Sequence, residues 1–227
     1  MKRMICGLMV LAVVAICVPV EASYYVAGGF NSWGVDSDIM TDNGDGTYSL
    51  TVTGLDAGYR SEFKITDGTW TNAVPGANSW FYADENGEMT ITLDTNTYAD
   101  GWNTDTNRII LSDAPTTWTI AGDMNGWSNS DTASAMTDLG NGIYLYSATL
   151  AAGTYYCKPV VTGTWDSIGW YERSINTSNL SITTYEGMED VNIYVDALNG
   201  TVKVEMIPEP ATMGLLGLGG LLLRRRK

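Results

Sequence analysis

A motif near the start of the chain returns 94 to 96 residues later, and that recurrence limits what the chain can fold into. The first copy reads Tyr25-Val26-Ala27-Gly28-Gly29-Phe30-Asn31-Ser32-Trp33, then Met40, Gly46-Thr47-Tyr48, Gly58-Tyr59 and Gly68-Thr69-Trp70. The second reads Thr119-Ile120-Ala121-Gly122-Asp123-Met124-Asn125-Gly126-Trp127, then Met136, Gly142-Ile143-Tyr144, Gly153-Thr154-Tyr155 and Gly163-Thr164-Trp165. First and last tryptophans are 37 and 38 residues apart in the two copies. Each copy runs to about 90 residues, enough for one small domain and too long for a solenoid repeat.

Within each copy, short runs alternate apolar with polar residues: 48–53, 62–66, 89–93, 144–150, 155–161, 191–195 and 201–205. They are rich in Thr, Tyr, Val and Ile, with Gly, Asn and Asp at their ends, which predicts strands and hairpins. Asn43-Gly44-Asp45-Gly46 and Leu139-Gly140-Asn141-Gly142 supply matching turns. No stretch between the two ends keeps a helical period. The expected fold class is all-β: two tandem immunoglobulin-like β-sandwiches, 23–113 and 117–206, joined near 112–116 with Pro115 as punctuation.

The ends are of another kind. Met1-Lys2-Arg3, an apolar run over 4–18 and Val20-Glu21-Ala22 predict a signal peptide at 1–22, with an uncleaved anchor as the alternative. Cys17 does not read as a lipoprotein site, because bulky Ile16 precedes it. At the other end Ile207-Pro208-Glu209-Pro210 leads into an apolar stretch, 211–223, and then Arg224-Arg225-Arg226-Lys227. Thirteen residues as a helix reach about 20 Å against a hydrocarbon core of about 30 Å. Such a tail holds a chain in the membrane transiently, basic end on the cytoplasmic side. Pro208, Glu209 and Pro210, the short apolar helix and the basic cluster together resemble the PEP-CTERM sorting signal. That resemblance implies recognition by an exosortase, cleavage near the motif and delivery to the surface or exopolysaccharide matrix of a bacterium.

Between the two signals, 6 basic and 24 acidic residues remain, a net charge near −18. This charge opposes nucleic acid and anionic membrane surfaces as partners and leaves neutral ligands such as sugars open. The chain contains no histidine, which removes Ser-His-Asp and Cys-His catalysis and histidine-ligated metals. Cys157 is alone in the mature region and sits in an apolar strand pattern, so it reads as a small core residue. Asp42-Asn43-Gly44-Asp45-Gly46 has a calcium-like look without EF-hand spacing or its final glutamate. No cofactor and no metal are expected.

Gly-x-Phe-Asn-x-Trp, a hairpin with Gly-x-Tyr, a strand carrying lysine, and Asp-Gly-x-Trp resemble the glycogen- and starch-binding modules found beside amylases and in the β subunit of AMP-activated kinase. The resemblance covers both copies and implies immunoglobulin-like sandwiches that bind α-glucans. It places the family's stacking tryptophans on Trp33 and Trp70, and on Trp127 and Trp165. Its lysine falls on Lys64 and Lys158, and its late-strand asparagine on Asn192, with Thr90 or a neighbour in the first copy. There are departures. Lys64 to Trp70 spans six residues where Lys158 to Trp165 spans seven, a change able to turn Lys64 to the other face. Thr162 replaces the aspartate that Asp67 preserves, and Pro159 requires an edge or a bulge.

The chemistry stands beside the resemblance. A pyranose has an apolar C–H face that matches an indole and a hydroxyl rim that matches Lys, Asn or Asp. Burying roughly 80–100 Å² against one ring contributes about 2–2.5 kcal/mol, so two contacts less ordering costs give roughly millimolar affinity. The opposing possibility makes these tryptophans core residues. Trp80-Phe81-Tyr82 and Trp170-Tyr171 follow Trp70 and Trp165 in what read as loops, and are expected to close a core edge, with extension of a binding platform as the alternative. Trp118 reads as a strand residue and Trp102 has no assignment. The leading functional expectation is a non-catalytic surface protein that binds polysaccharide. A structural matrix protein without a sugar site is the alternative, and a cryptic glycosidase a weaker one.

Overall fold

The computed structural model describes residues 23–102, 107–170, 172–175 and 177–208. The expected signal helix at 1–22 and the apolar sorting helix lie outside these residues. The described chain is all-β, with three short 3₁₀ turns, and no helix in it is long and apolar enough to cross a membrane.

The N-terminal half contains β1 (Tyr25–Gly28), β2 (Thr41–Asp42), β3 (Thr47–Val52), β4 (Arg60–Thr66), β5 (Val74–Tyr82), β6 (Met89–Asp94) and β7 (Arg108–Leu111). The C-terminal half contains β8 (Trp118–Gly122), β9 (Thr137–Gly140), β10 (Ile143–Thr149), β11 (Gly153–Val161), β12 (Ser167–Ile168), β13 (Arg173–Ser174), β14 (Leu180–Thr184), β15 (Asp190–Asp196) and β16 (Thr201–Ile207). The sequence repeat becomes a repeat of topology. One sheet in each half has the order β2-β3-β6-β7 or β9-β10-β15-β16, and the other pairs β1 with β4 or β8 with β11. The C-terminal half adds the short β12–β13 ladder.

Alternation explains which face each strand buries. In β15, Val191, Ile193 and Val195 are buried while Asn192 and Tyr194 between them are half-buried on the other face. The two sheets of the N-terminal half share one core, built from Val26, Phe63, Ile65 and Phe81 on one side and Val52, Met89, Ile91 and Leu93 on the other. The C-terminal core joins Trp118, Ile120, Cys157 and Leu180 to Tyr144, Val191, Ile193 and Val202.

One member of that second core comes from the first half. Trp80, on β5, is fully buried among the C-terminal core residues, and its indole N–H donates to the Ser167 carbonyl at 3.2 Å. Trp80, Phe81 and Tyr82 are therefore strand residues and not a loop. Pro75, Gly76, Asn78 and Ser79 hide this strand from a pattern reading, because its pairing with β4 is irregular beyond Phe63. The seam is fastened further. Asp166 accepts two bonds from Arg60, both 2.6 Å, and one from the Tyr82 hydroxyl at 2.6 Å. The Arg173 guanidinium lies 5.2 Å from the Trp80 ring centroid. Backbone bonds join Ile175 to Asn78 and Leu111 to Leu198, each 3.0 Å.

Candidate functional site

The turn after β1, and its copy after β8, is built by an asparagine. Asn31 accepts from the Gly28 N–H at 2.8 Å and donates to the Val26 carbonyl at 2.7 Å. Asn125 does the same with Gly122 at 3.0 Å and Ile120 at 2.9 Å. This folds the chain back so that the amides of Trp33 and Trp127 bond the carbonyls of Gly28 and Gly122, both at 2.9 Å. Both tryptophans consequently sit in the left-handed region, φ 63° and 64°. That conformation costs a bulky residue about 1–3 kcal/mol and persists only where the surroundings enforce it. The repeated Asn-x-Trp thus fixes a turn that holds its tryptophan in a strained backbone.

The lysines follow from strand register. Lys64 pairs with Ala27 and Lys158 with Ala121, equivalent positions in the two copies. Phe63 and Ile65, on either side of Lys64, enter one core and Cys157, beside Lys158, enters the other, so both lysines leave from the opposite face of the sheet. The one-residue difference in spacing to the tryptophan is absorbed after the lysine, in the turn, and does not turn Lys64 to the other face. Pro159 lies where one flank of β11 changes partner, from β14 at Cys157 to β12 at Val160.

The lysines differ in what holds them. Lys64 donates to the Gly76 carbonyl at 2.6 Å, and Glu172 of the C-terminal half acts on it electrostatically. Lys158 is half-buried and its ammonium has no hydrogen-bond or ion-pair partner among the described residues. Burial lowers its pKa from the ordinary lysine value.

Trp70 and Trp165 stand on the turns after β4 and β11 with 50% and 56% of their surface exposed. Trp33 and Trp127 are half-buried. In the first copy the Trp33 and Trp70 rings are 6.4 Å apart and tilted by 48°. In the second, Asn129 ties the two turns together: its carbonyl accepts from Gly163 N–H at 2.8 Å, and its side chain donates to the Thr164 carbonyl at 3.0 Å. The Trp127 indole N–H donates to Asp123 at 3.0 Å. Asp67 caps its turn through Thr69 and Asn72.

Asn192 does not join this group. It lies on β15 in the other sheet and faces out of the opposite side of the half, accepting from Ser147 at 2.7 Å. Thr90 holds the corresponding place on β6, 2.8 Å from Thr51. Trp118 is core, Trp170 packs against the same core, and Trp102 is half-buried beside Asp100. Tyr171 lies outside the described residues. Cys157 is fully buried, and desolvation pushes its thiol up to about 12, which suits a packing role. Asp42 and Asp45 accept from amides of their own hairpin, Gly44 and Thr47. Sequence reasoning missed Asp123, whose copy is Gly29; no repeat signal marks it.

Residues 114–202 match the family model for the pullulanase X25 domain, and residues 207–227 match the PEP-CTERM protein-sorting motif. The chain carries a PEP-CTERM sorting tail and an X25-like domain. The X25 match falls on the half that contains Trp127, Lys158 and Trp165. The tail motif marks export to the surface of a bacterium. No curated protein matches the chain. Among solved structures, the crystal structure of SusF from Bacteroides thetaiotaomicron aligns at 18% identity and TM-score 0.36, covering 84% of this chain and 49% of that one. A pullulanase from Bacillus acidopullulyticus aligns at 18% identity and TM-score 0.31, covering 73% of this chain and 20% of that one. The chain thus spans about half the length of the first and a fifth of the second.

Proposed function

We propose that this is an exported, non-catalytic surface protein whose C-terminal half binds neutral polysaccharide of the α-glucan type. The observation that carries the reading is Lys158: its ammonium has no hydrogen-bond or ion-pair partner among the described residues, on the strand that leads into the Trp165 turn and that Asp123 ties to Trp127. An ammonium bonded to water alone is free to donate to a sugar hydroxyl while the indoles cover the ring. The X25-like match over 114–202 supports the same class of ligand. Trp33, Lys64 and Trp70 form a weaker copy, because Lys64 already has the Gly76 carbonyl. The two halves act as immunoglobulin-like modules, 23–113 and 117–206, with 1–22 a signal peptide. The tail anchors the chain in the membrane during export until an exosortase-type enzyme processes it near Pro208, Glu209 and Pro210.

Native gels containing glycogen, soluble amylose or dextran test this. The purified protein should be retarded by the first two, and Lys158→Met should abolish the retardation without lowering thermal stability. Migration indifferent to every glucan contradicts the proposal. The seam favours a second reading in that event: halves locked through Trp80 and Asp166 suit a rigid spacer of the surface matrix.

A further inference from the structure

The outer face of β11 carries an aromatic residue that the repeat does not. Tyr156 is two residues before Lys158 and therefore shares its face, and 48% of its surface is exposed. The equivalent position in the first copy is Glu62, which is engaged by Arg60 at 3.1 Å and Asn78 at 2.9 Å. The Tyr156 side chain has no such engagement among the described residues; Ser181 faces it across the ladder to β14.

Asp123 connects Tyr156 to the indole already placed in the site. One carboxylate oxygen accepts from the Trp127 indole N–H at 3.0 Å, and the other from the Tyr156 backbone N–H at 2.8 Å. The Trp127 ring is thereby fixed to the strand that presents Tyr156 and Lys158. From Tyr156 to the end of β11 at Val161 is ~17 Å at about 3.3 Å per residue, and Trp165 stands on the turn beyond. Exposed aromatic residues thus flank Lys158 along the chain, Tyr156 before it on β11 and Trp165 on the turn after it, with Val160 buried between Lys158 and that turn.

We propose that Tyr156 is a third stacking platform, which extends the C-terminal site along β11 so that it reads an oligosaccharide chain and not a single ring. The inference rests on the polysaccharide-binding reading above. Asp123 is its positioning residue, holding Trp127 in line with the strand. The first copy lacks both parts, having Gly29 and Glu62 in their places, so the two halves are not interchangeable sites.

Calorimetric titration of the purified protein with maltotriose and maltoheptaose tests this, using Tyr156→Ala and Tyr156→Phe. Tyr156→Ala should weaken maltoheptaose binding roughly three- to tenfold and maltotriose binding less, while Tyr156→Phe binds as the parent does. The exposed position keeps both variants folded, which a thermal melt verifies. Parent binding that is unchanged by Tyr156→Ala, or reduced equally for both sugars, overturns the third platform and leaves the Lys158 site standing. Absence of binding by the parent protein to either sugar overturns both.

Discussion

The indole of Trp80, carried on β5 in the N-terminal half, lies 6.1 Å from that of Trp118 inside the core of the C-terminal half. The sequence repeat therefore produces two halves that interlock at a core residue. Each half has its own pair of sheets, yet the second half completes its core with a side chain borrowed from the first.

Truncating that side chain should unfold the wrong half. Trp80→Ala removes a fully buried indole and should cost about 3–5 kcal/mol. The loss should appear in the C-terminal half, read in urea melts from the exposure of Cys157 to a thiol reagent. An excised 117–206 fragment should share the defect. A fragment as stable as the whole protein contradicts the interlocked core.

Alkali should loosen the seam. Burial, then the bond to Asp166, raises the Tyr82 phenol from 10 to about 12. Its folded value lies above its unfolded one, so its contribution is complete below pH 10 and is lost as pH rises through 12. The gap in urea midpoint between the parent protein and Tyr82→Phe should accordingly be wider at pH 8 than at pH 11.5. A gap that does not change with pH would show that the phenol is not held as described.

Two glycines on the Trp127 turn should respond differently to alanine. A Cβ at Gly122 would come within 2.5 Å of the Cys157 Cβ and 2.6 Å of the Tyr156 carbonyl. Gly122→Ala should therefore cost about 1–3 kcal/mol through overpacking and displace the Asp123 contacts. Gly126 has φ 64° and open space around it, and serine occupies its counterpart, Ser32, at φ 55°. Gly126→Ser should cost about 1 kcal/mol and leave the turn intact. Equal losses at the two positions, measured by chemical denaturation, would count against the close approach of β8 and β11.

The strands with clean alternation were legible because one face of each enters a core. Tyr48, Phe63, Ile91, Tyr144, Ile193 and Val202 all mark such faces. β5 was not legible: its Pro, Gly, Asn and Ser residues resemble a loop, and its burial comes from the other half, which no local pattern can show. The lysines and turn tryptophans could be found from the repeat, since equivalent residues occupy equivalent register. What distinguishes the copies could not. Lys64 reaches Gly76, twelve residues away, while Lys158 has no partner among the described residues. Asn192 was matched by its place late in a strand, but alternation and sheet order put it on the opposite face. Asp123 and Tyr156 carry no motif, and their relation appears only when β8 lies against β11.

The most direct test is a tryptophan-fluorescence titration with soluble amylose, comparing the parent protein with Trp165→Ala and Trp70→Ala. Both indoles are half-exposed, so neither change should disturb the fold. The account predicts saturable binding that Trp165→Ala abolishes and Trp70→Ala weakens by no more than about twofold. Binding that survives Trp165→Ala, or that is lost only in Trp70→Ala, would contradict a site built around Lys158.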